Sequence, residues 1–207
     1  MTVPDERPDL SKSTVLIGVF GALWGLMEIS LGTLLKGLRI PMSGAILTSV
    51  AAIIFLSGRY FIHRKFSILI MGGIAATIKV FSVGTVIAGP FMAILIEAGI
   101  AELLISFLGI SRLSYVITSI TIVIYTILHP FISQGIIFGA NIYKIYLGTF
   151  HKLADVLHTG YQYLAIIILL YILIHALLGA ASGWIAYSIS KRVENEYNNL
   201  LQQPEKL

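Results

Sequence analysis

Five ionisable side chains fall inside apolar stretches of this chain: Glu28, Lys79, Glu97, His129 and His175. Their surroundings read as five different membrane helices. A hydropathy count puts all five at similar depth, within about two turns of the bilayer midplane at 1.5 Å per residue. A charge at that depth is costly unless it is paired, lines a cavity or binds something. A layer of such groups implies a polar pocket inside a helical bundle. Glu97 and His129 are residue types suited to holding a ligand or moving a proton. Gln134 and Asn141 follow His129 and carry the polarity towards one end of the same helix. Glu28 and Lys79 lie at matching heights, and an ion pair between them explains both economically. Pairing does not remove them from a pocket wall, so both readings stay open. His129 and His175 each have a plain structural alternative, a hydrogen bond between helices.

Other candidates carry less. Glu102 lies five residues after Glu97, on a different face. The two do not form a paired-carboxylate site on one helix face. Glu102 is expected to meet a basic loop residue or a partner. His151, Asp155 and His158 would share one helix face, but three ligands without a fourth make a poor metal site. An amphipathic cap resting at the membrane interface suits that stretch better. The chain has no HExxH, no GxSxG, no Walker A and no glycine-rich dinucleotide loop. Cysteine is absent, which excludes disulfides, a thiol nucleophile and Cys-based metal motifs. No complete catalytic set emerges. The expectation is a protein that is not an enzyme and uses no metal and no cofactor.

The elements that must position these residues are membrane helices. The 207 residues are 57% hydrophobic and 12% charged, with mean hydropathy +0.91. Soluble domains carry about 25% charged residues. A spanning helix needs about 20 mostly apolar residues. Six segments qualify, at 14–36, 42–61, 66–85, 87–108, 114–140 and 162–190. The predicted fold is all-α, an integral membrane bundle of six transmembrane helices. It comprises a tail over 1–13, the bundle over 14–190 and a polar, fraying tail over 191–207. Pro41 and Pro90 suit helix starts. Pro130 predicts a kink next to His129. Residues 83–89 form a turn, and 141–161 are the longest stretch outside the bilayer.

Orientation follows from lysine and arginine. With the N-terminus inside, inner parts hold Arg7, Lys12, Arg59, Arg64, Lys65, Arg112, Lys191, Arg192 and Lys206. Outer loops hold Lys36, Arg39, Lys144 and Lys152. The bias places both termini in the cytoplasm of a multi-pass cell-membrane protein. The net charge of +4 belongs to this flanking pattern and not to nucleic-acid binding.

Small residues recur at helix-contact spacing. Gly18 and Ala22 are four apart, as are Gly21 and Gly25, then Gly72 and Ala76 in helix three. Gly179, Ala180, Ala181 and Gly183 follow His175. Such residues let helices approach closely, within the bundle or against a partner subunit.

Six helices, both ends cytoplasmic, these small-residue motifs and an outer polar layer form a set that resembles the substrate-binding S components of energy-coupling factor (ECF) transporters. The resemblance covers residues 14–190. The family carries Ala-x-x-x-Ala in helix one; Gly18-x-x-x-Ala22 departs in its first residue but not in smallness. The resemblance implies docking on a transmembrane coupling subunit through Gly18, Ala22, Gly72 and Ala76, with two cytoplasmic ATPase subunits as further partners. It implies a solute site towards the outer face, formed by helices four to six and capped by the loop over 36–43. Glu28, Lys79, Glu97, His129, Gln134, Asn141 and His175 are the candidate contacts. Nickel and cobalt members use a histidine near the N-terminus, and here none precedes His63. A Glu in helix four and a His in helix five resemble thiamine-binding members, which implies thiamine or a related pyrimidine. Trp24, Tyr125, Tyr143, Tyr161 and Tyr163 could stack on a flat or cationic ring. Aromatic residues at helix ends also form interface belts. Two other functions fit the same residues. One is an intramembrane enzyme acting on a lipid or prenyl substrate with His129 as base and Glu97 as acid. The other is a stand-alone carrier or channel.

Overall fold

A computed structural model of the chain describes residues 10–81, 88–139, 141, 143, 144 and 161–202. Those residues are all helical apart from short connections. The helices are α1 (Leu10–Gly37), α2 (Ser43–Phe61), α3 (Ser67–Val80), α4 (Ala88–Leu108), α5 (Arg112–Phe138) and α6 (Tyr161–Gln202). Five of them are long and apolar enough to cross a membrane; α3 is apolar with 14 residues. Large apolar side chains stand exposed along α1, α4, α5 and α6. Water would penalise such a surface, and lipid does not. The protein is a multi-pass membrane protein of all-α class.

Local chemistry sets the helix ends. The Ser111 hydroxyl accepts from the Ser114 N–H and caps α5, which therefore starts two residues before its expected position. Helix α5 continues through Pro130. Proline has no N–H, so the Thr126 carbonyl loses its usual donor one turn on. The expected fraying after residue 190 is corrected: α6 stays helical to Gln202. Lys191 pairs with Glu194 at 2.7 Å, and the Tyr60 hydroxyl donates to the same Glu194 carboxylate at 2.7 Å. Residues 191–202 contain no proline or glycine to stop the helix. The predicted turn at 83–89 lies mostly outside the described residues, as do His151, Asp155, His158 and the side chains of Tyr161 and Tyr163.

The helices close a ring in the order α1, α3, α4, α5, α6, α2, with α2 also touching α3 and α5. Being enclosed, α2 is the most buried of the five long helices. Its small residues Ala45, Ala51 and Ala52 let its neighbours close on it. Trp24 of α1 is fully buried against Phe55 of α2, ring centroids 4.8 Å apart. It belongs to the core, where sequence reasoning had offered it to a ligand.

The C-terminal halves of α1, α3 and α5 share one end of the bundle with the N-terminal halves of α2 and α4. The opposite end holds the α2–α3 connection. There Arg59 is buried, and its guanidinium donates to the Ile62 carbonyl past the end of α2. Glu102 is corrected at this end as well. Both its oxygens accept backbone N–H groups at the start of α3, from Phe66 and Ile68, each at 2.8 Å. A carboxylate from α4 thus satisfies donors that α3 leaves open.

At the α5–α6 interface the two backbones approach closely. A carbon added at Gly183 would lie 2.4 Å from the Tyr115 carbonyl oxygen, and one at Gly179 would lie 2.6 Å from the Ile120 Cα. Backbone meets backbone there, so no flexible side chain can yield. Gly183→Ala is expected to cost about 1–3 kcal/mol through overpacking. Thermal unfolding in detergent checks this, with Gly18→Ala as control. Among the described residues nothing lies within 4 Å of a carbon added at Gly18, so that variant should melt like the native chain.

Candidate functional site

At the end of the bundle that holds the α1–α2 connection, five helices enclose a cavity of about 580 Å³. Helix α1 contributes Glu28 and, at the rim, Lys36. Helix α2 adds Gly44, Leu47 and Thr48. Lys79 comes from the last turn of α3. On α4, Pro90, Ala93, Ile94 and Glu97 follow helical spacing and line one stripe. On α5, Thr126, His129, Pro130, Ser133 and Gln134 form the facing stripe. Five of the seven residues predicted as contacts therefore share this one cavity: Glu28, Lys79, Glu97, His129 and Gln134.

Glu28 and Lys79 also form the expected pair. The ammonium lies 3.5 Å from Glu28 Oε2 and donates to the Glu28 backbone carbonyl at 2.5 Å. Reaching a helix carbonyl from the side needs room. Gly32 supplies it, since a carbon there would sit 3.1 Å from the Lys79 nitrogen. Nearby, Gly25 admits Ile78 of α3, whose Cβ would stand 2.8 Å from an added carbon. The α1–α3 contact thus places the pair at the cavity wall.

Glu97 is 5% exposed. The Thr48 hydroxyl donates to its Oε1 at 2.9 Å. Among the described residues, no cation stands within ion-pair distance of Glu97. His129 is half-buried, and its Nδ1 shares a hydrogen bond with the Tyr125 hydroxyl at 2.9 Å. With tyrosine donating, the imidazole carries its proton on Nε2.

Two predicted contacts lie elsewhere. His175 is 1% exposed, and its Nδ1 bonds the Tyr171 carbonyl at 2.8 Å. It heads the buried stripe His175, Gly179, Ser182, Gly183, Ala186 and Ser190, spaced at helical period. That stripe packs α6 into the bundle, and the bond of His175 runs within its own helix and not, as expected, to a neighbouring one. Asn141 is exposed beyond the end of α5 and does not line the cavity. Tyr143 is exposed too, its hydroxyl donating to the Phe131 carbonyl at 3.3 Å. Sequence reasoning missed Thr48, Thr126 and Ser133 in the lining, while Lys36 stands at the rim where the expected cap begins. Hydroxyl residues barely lower the hydropathy of a segment, and such groups often bond their own helix, as Thr126 does to the Val123 carbonyl at 2.7 Å.

The small-residue motifs divide. Gly18 and Ala22 are half-buried on the outside of α1, beside the exposed Val15 and Val19. Gly72 and Ala76 are buried instead. A carbon at Gly72 would collide with Ala98 of α4, so this pair packs α3 against α4 and presents nothing outward. The outward groove of α3 runs over Ile70, Gly73, Ile74, Thr77 and Ile78.

The cavity can hold a small solute, with the carboxyls of Glu28 and Glu97, the ammonium groups of Lys36 and Lys79, an imidazole, an amide and hydroxyls set among apolar side chains. Among the described residues, no group of three or more His, Asp or Glu could hold a metal ion. No family model, curated protein or solved structure matches the chain.

Proposed function

We propose that the chain is the membrane-embedded, substrate-binding S component of an ECF-type importer, and that its polar cavity captures a small vitamin-like solute. One observation carries this reading. Glu28, Thr48, Lys79, Glu97 and His129 come from five helices and line a single cavity of about 580 Å³. Small-molecule sites are mostly apolar clefts of roughly 300–1,000 Å³ with a few convergent polar groups. The basic cluster Arg59 to Lys65 belongs to the opposite end of the bundle. The positive-inside rule then directs the cavity outwards and both termini into the cytoplasm of the cell membrane. Glu97 and His129 favour a ring that carries donor groups or a positive charge, with thiamine or a pyrimidine precursor the first choice.

The chain would have no ATPase activity of its own. A transmembrane coupling subunit would dock on the outer face of α1, over Gly18 and Ala22, and two cytoplasmic ATPases would drive uptake. Small residues without close neighbours are what a second helix needs. Mass spectrometry of material copurified after gentle solubilisation tests the reading. A vitamin-sized compound is expected with the native chain and absent with Glu97→Ala. Turnover of a prenyl or lipid substrate by the purified chain would replace it with the intramembrane enzyme. Solute flux into liposomes without partners would replace it with the stand-alone carrier.

A further inference from the structure

Beside the polar cavity, α4 and α5 enclose a second, smaller cleft of about 160 Å³. Each helix presents two adjoining stripes. On α4, Pro90, Ala93 and Glu97 face the cavity, while Met92 and Ile96 face the cleft. On α5, Thr126 and Pro130 face the cavity, while Ile132 and Ile136 face the cleft. Gly89, His129 and Ser133 line both, so they mark the junction. Among the described residues a carbon at Gly89 would meet nothing within 4 Å, and the His129 side chain reaches the Gly89 backbone across the junction. Met92, Ile132 and Ile136 are 44%, 41% and 75% exposed, so the cleft faces outwards to where lipid lies. The two spaces differ in chemistry. In the cavity, Glu97 is answered, among the described residues, by the neutral Thr48 hydroxyl, and Lys36 stands at the rim. Lys79 is engaged with Glu28. The cleft offers four aliphatic side chains.

We propose that the cavity and the cleft form one bipartite site for an amphiphilic cation, its donor head on Glu97 and its apolar substituent passing between α4 and α5 past His129. The inference rests on the solute-binding reading above and adds the ligand's class. A carboxyl that ionises against a bound cation accepts charge-assisted hydrogen bonds from it. An alkyl group gains from leaving water for the aliphatic cleft. Taking the roughly 30 Å³ of a water molecule as a yardstick for one methylene, the cleft holds about five.

The test is a series of primary alkylammonium ions, methyl to octyl, titrated calorimetrically against the full chain in phosphatidylcholine nanodiscs. Kd should tighten about fourfold per methylene and level off after about five carbons. Ile132→Trp and Met92→Trp, at exposed positions confined to the cleft, should each flatten the series and leave methylammonium affinity unchanged. Glu97→Gln should weaken every member. A flat series in the native chain, expected if a bilayer acyl chain holds the cleft, overturns the proposal and leaves the cavity's solute reading standing. An equal slope in both tryptophan variants also overturns it, because the chains then partition elsewhere. No Glu97-dependent binding at any length overturns the head-group assignment, and copurification then decides the solute reading separately.

Discussion

Glu97→Ala is expected to weaken binding of the copurifying solute by about 100-fold while the protein still inserts and folds. The reason is where the carboxyl sits. It lines the cavity at 5% exposure, and the Thr48 hydroxyl at 2.9 Å aims it. A hydrogen bond to a charged group contributes about 1.5–3 kcal/mol, and each 1.4 kcal/mol is a factor of ten in affinity. Removing the carboxyl removes that contact and leaves the ligand's donor unmet. Stability should fall less than affinity, because no described cation depends on Glu97 for its partner. Calorimetric titration of the purified variant, beside its melting curve, separates the two effects. A folded Glu97→Ala protein with native affinity would take Glu97 out of the site. Thr48→Val should give a smaller loss, since it removes only the group that orients the carboxyl.

Lys79→Met is expected to destabilise the bundle strongly, by about 3 kcal/mol. It strips Glu28 of its ammonium partner at 3.5 Å and leaves a carboxylate at 7% exposure. Breaking one side of a buried pair costs more than removing both, because the surviving charge has no compensation. The double variant Glu28→Gln/Lys79→Met should therefore recover most of the loss. Glu28→Gln alone should be milder than Lys79→Met, since the ammonium keeps its bond to the backbone carbonyl of residue 28. Thermal unfolding of the three variants in one detergent checks the order. Additive losses, with the double variant the least stable, would refute the pairing as the reason for both residues. Solute affinity measured on the same samples says whether the pair also serves the ligand.

Much of this site was legible before any fold was known. Depth along a helix follows from counting residues, so Glu28, Lys79, Glu97 and His129 could be placed in one layer. The same count put His175 in that layer, yet it belongs to the α5–α6 interface. Depth says nothing of direction. His175 points along the stripe of Gly179 and Gly183, towards a helix that packs too closely to leave a cavity. Gly72 and Ala76 teach the same lesson for docking surfaces. Their spacing matches that of Gly18 and Ala22, but Ala98 of α4 fills the space above Gly72. Spacing identifies a close approach and not the helix that makes it. Glu102 was read as a partner for a basic side chain because charge was the visible property. Its partners are backbone N–H groups of α3, which no side-chain pattern reports.

The sequence by itself determined that the chain is helical and membrane-spanning, where most of its helices begin and end to within about five residues, the C-terminal end of α6 excepted, and which ionisable groups lie at bilayer depth. Hydrophobic length and proline placement carry that information locally. Only the tertiary structure decided how each helix is turned about its axis, and with it that four of the layered residues share a cavity while the fifth is core. In a soluble helix the polar face would have announced the rotation. Here the helices are apolar nearly all round, because lipid outside and neighbours inside accept the same side chains. Rotation is then set by contacts between distant segments, such as Gly25 under Ile78 and Gly183 against Tyr115.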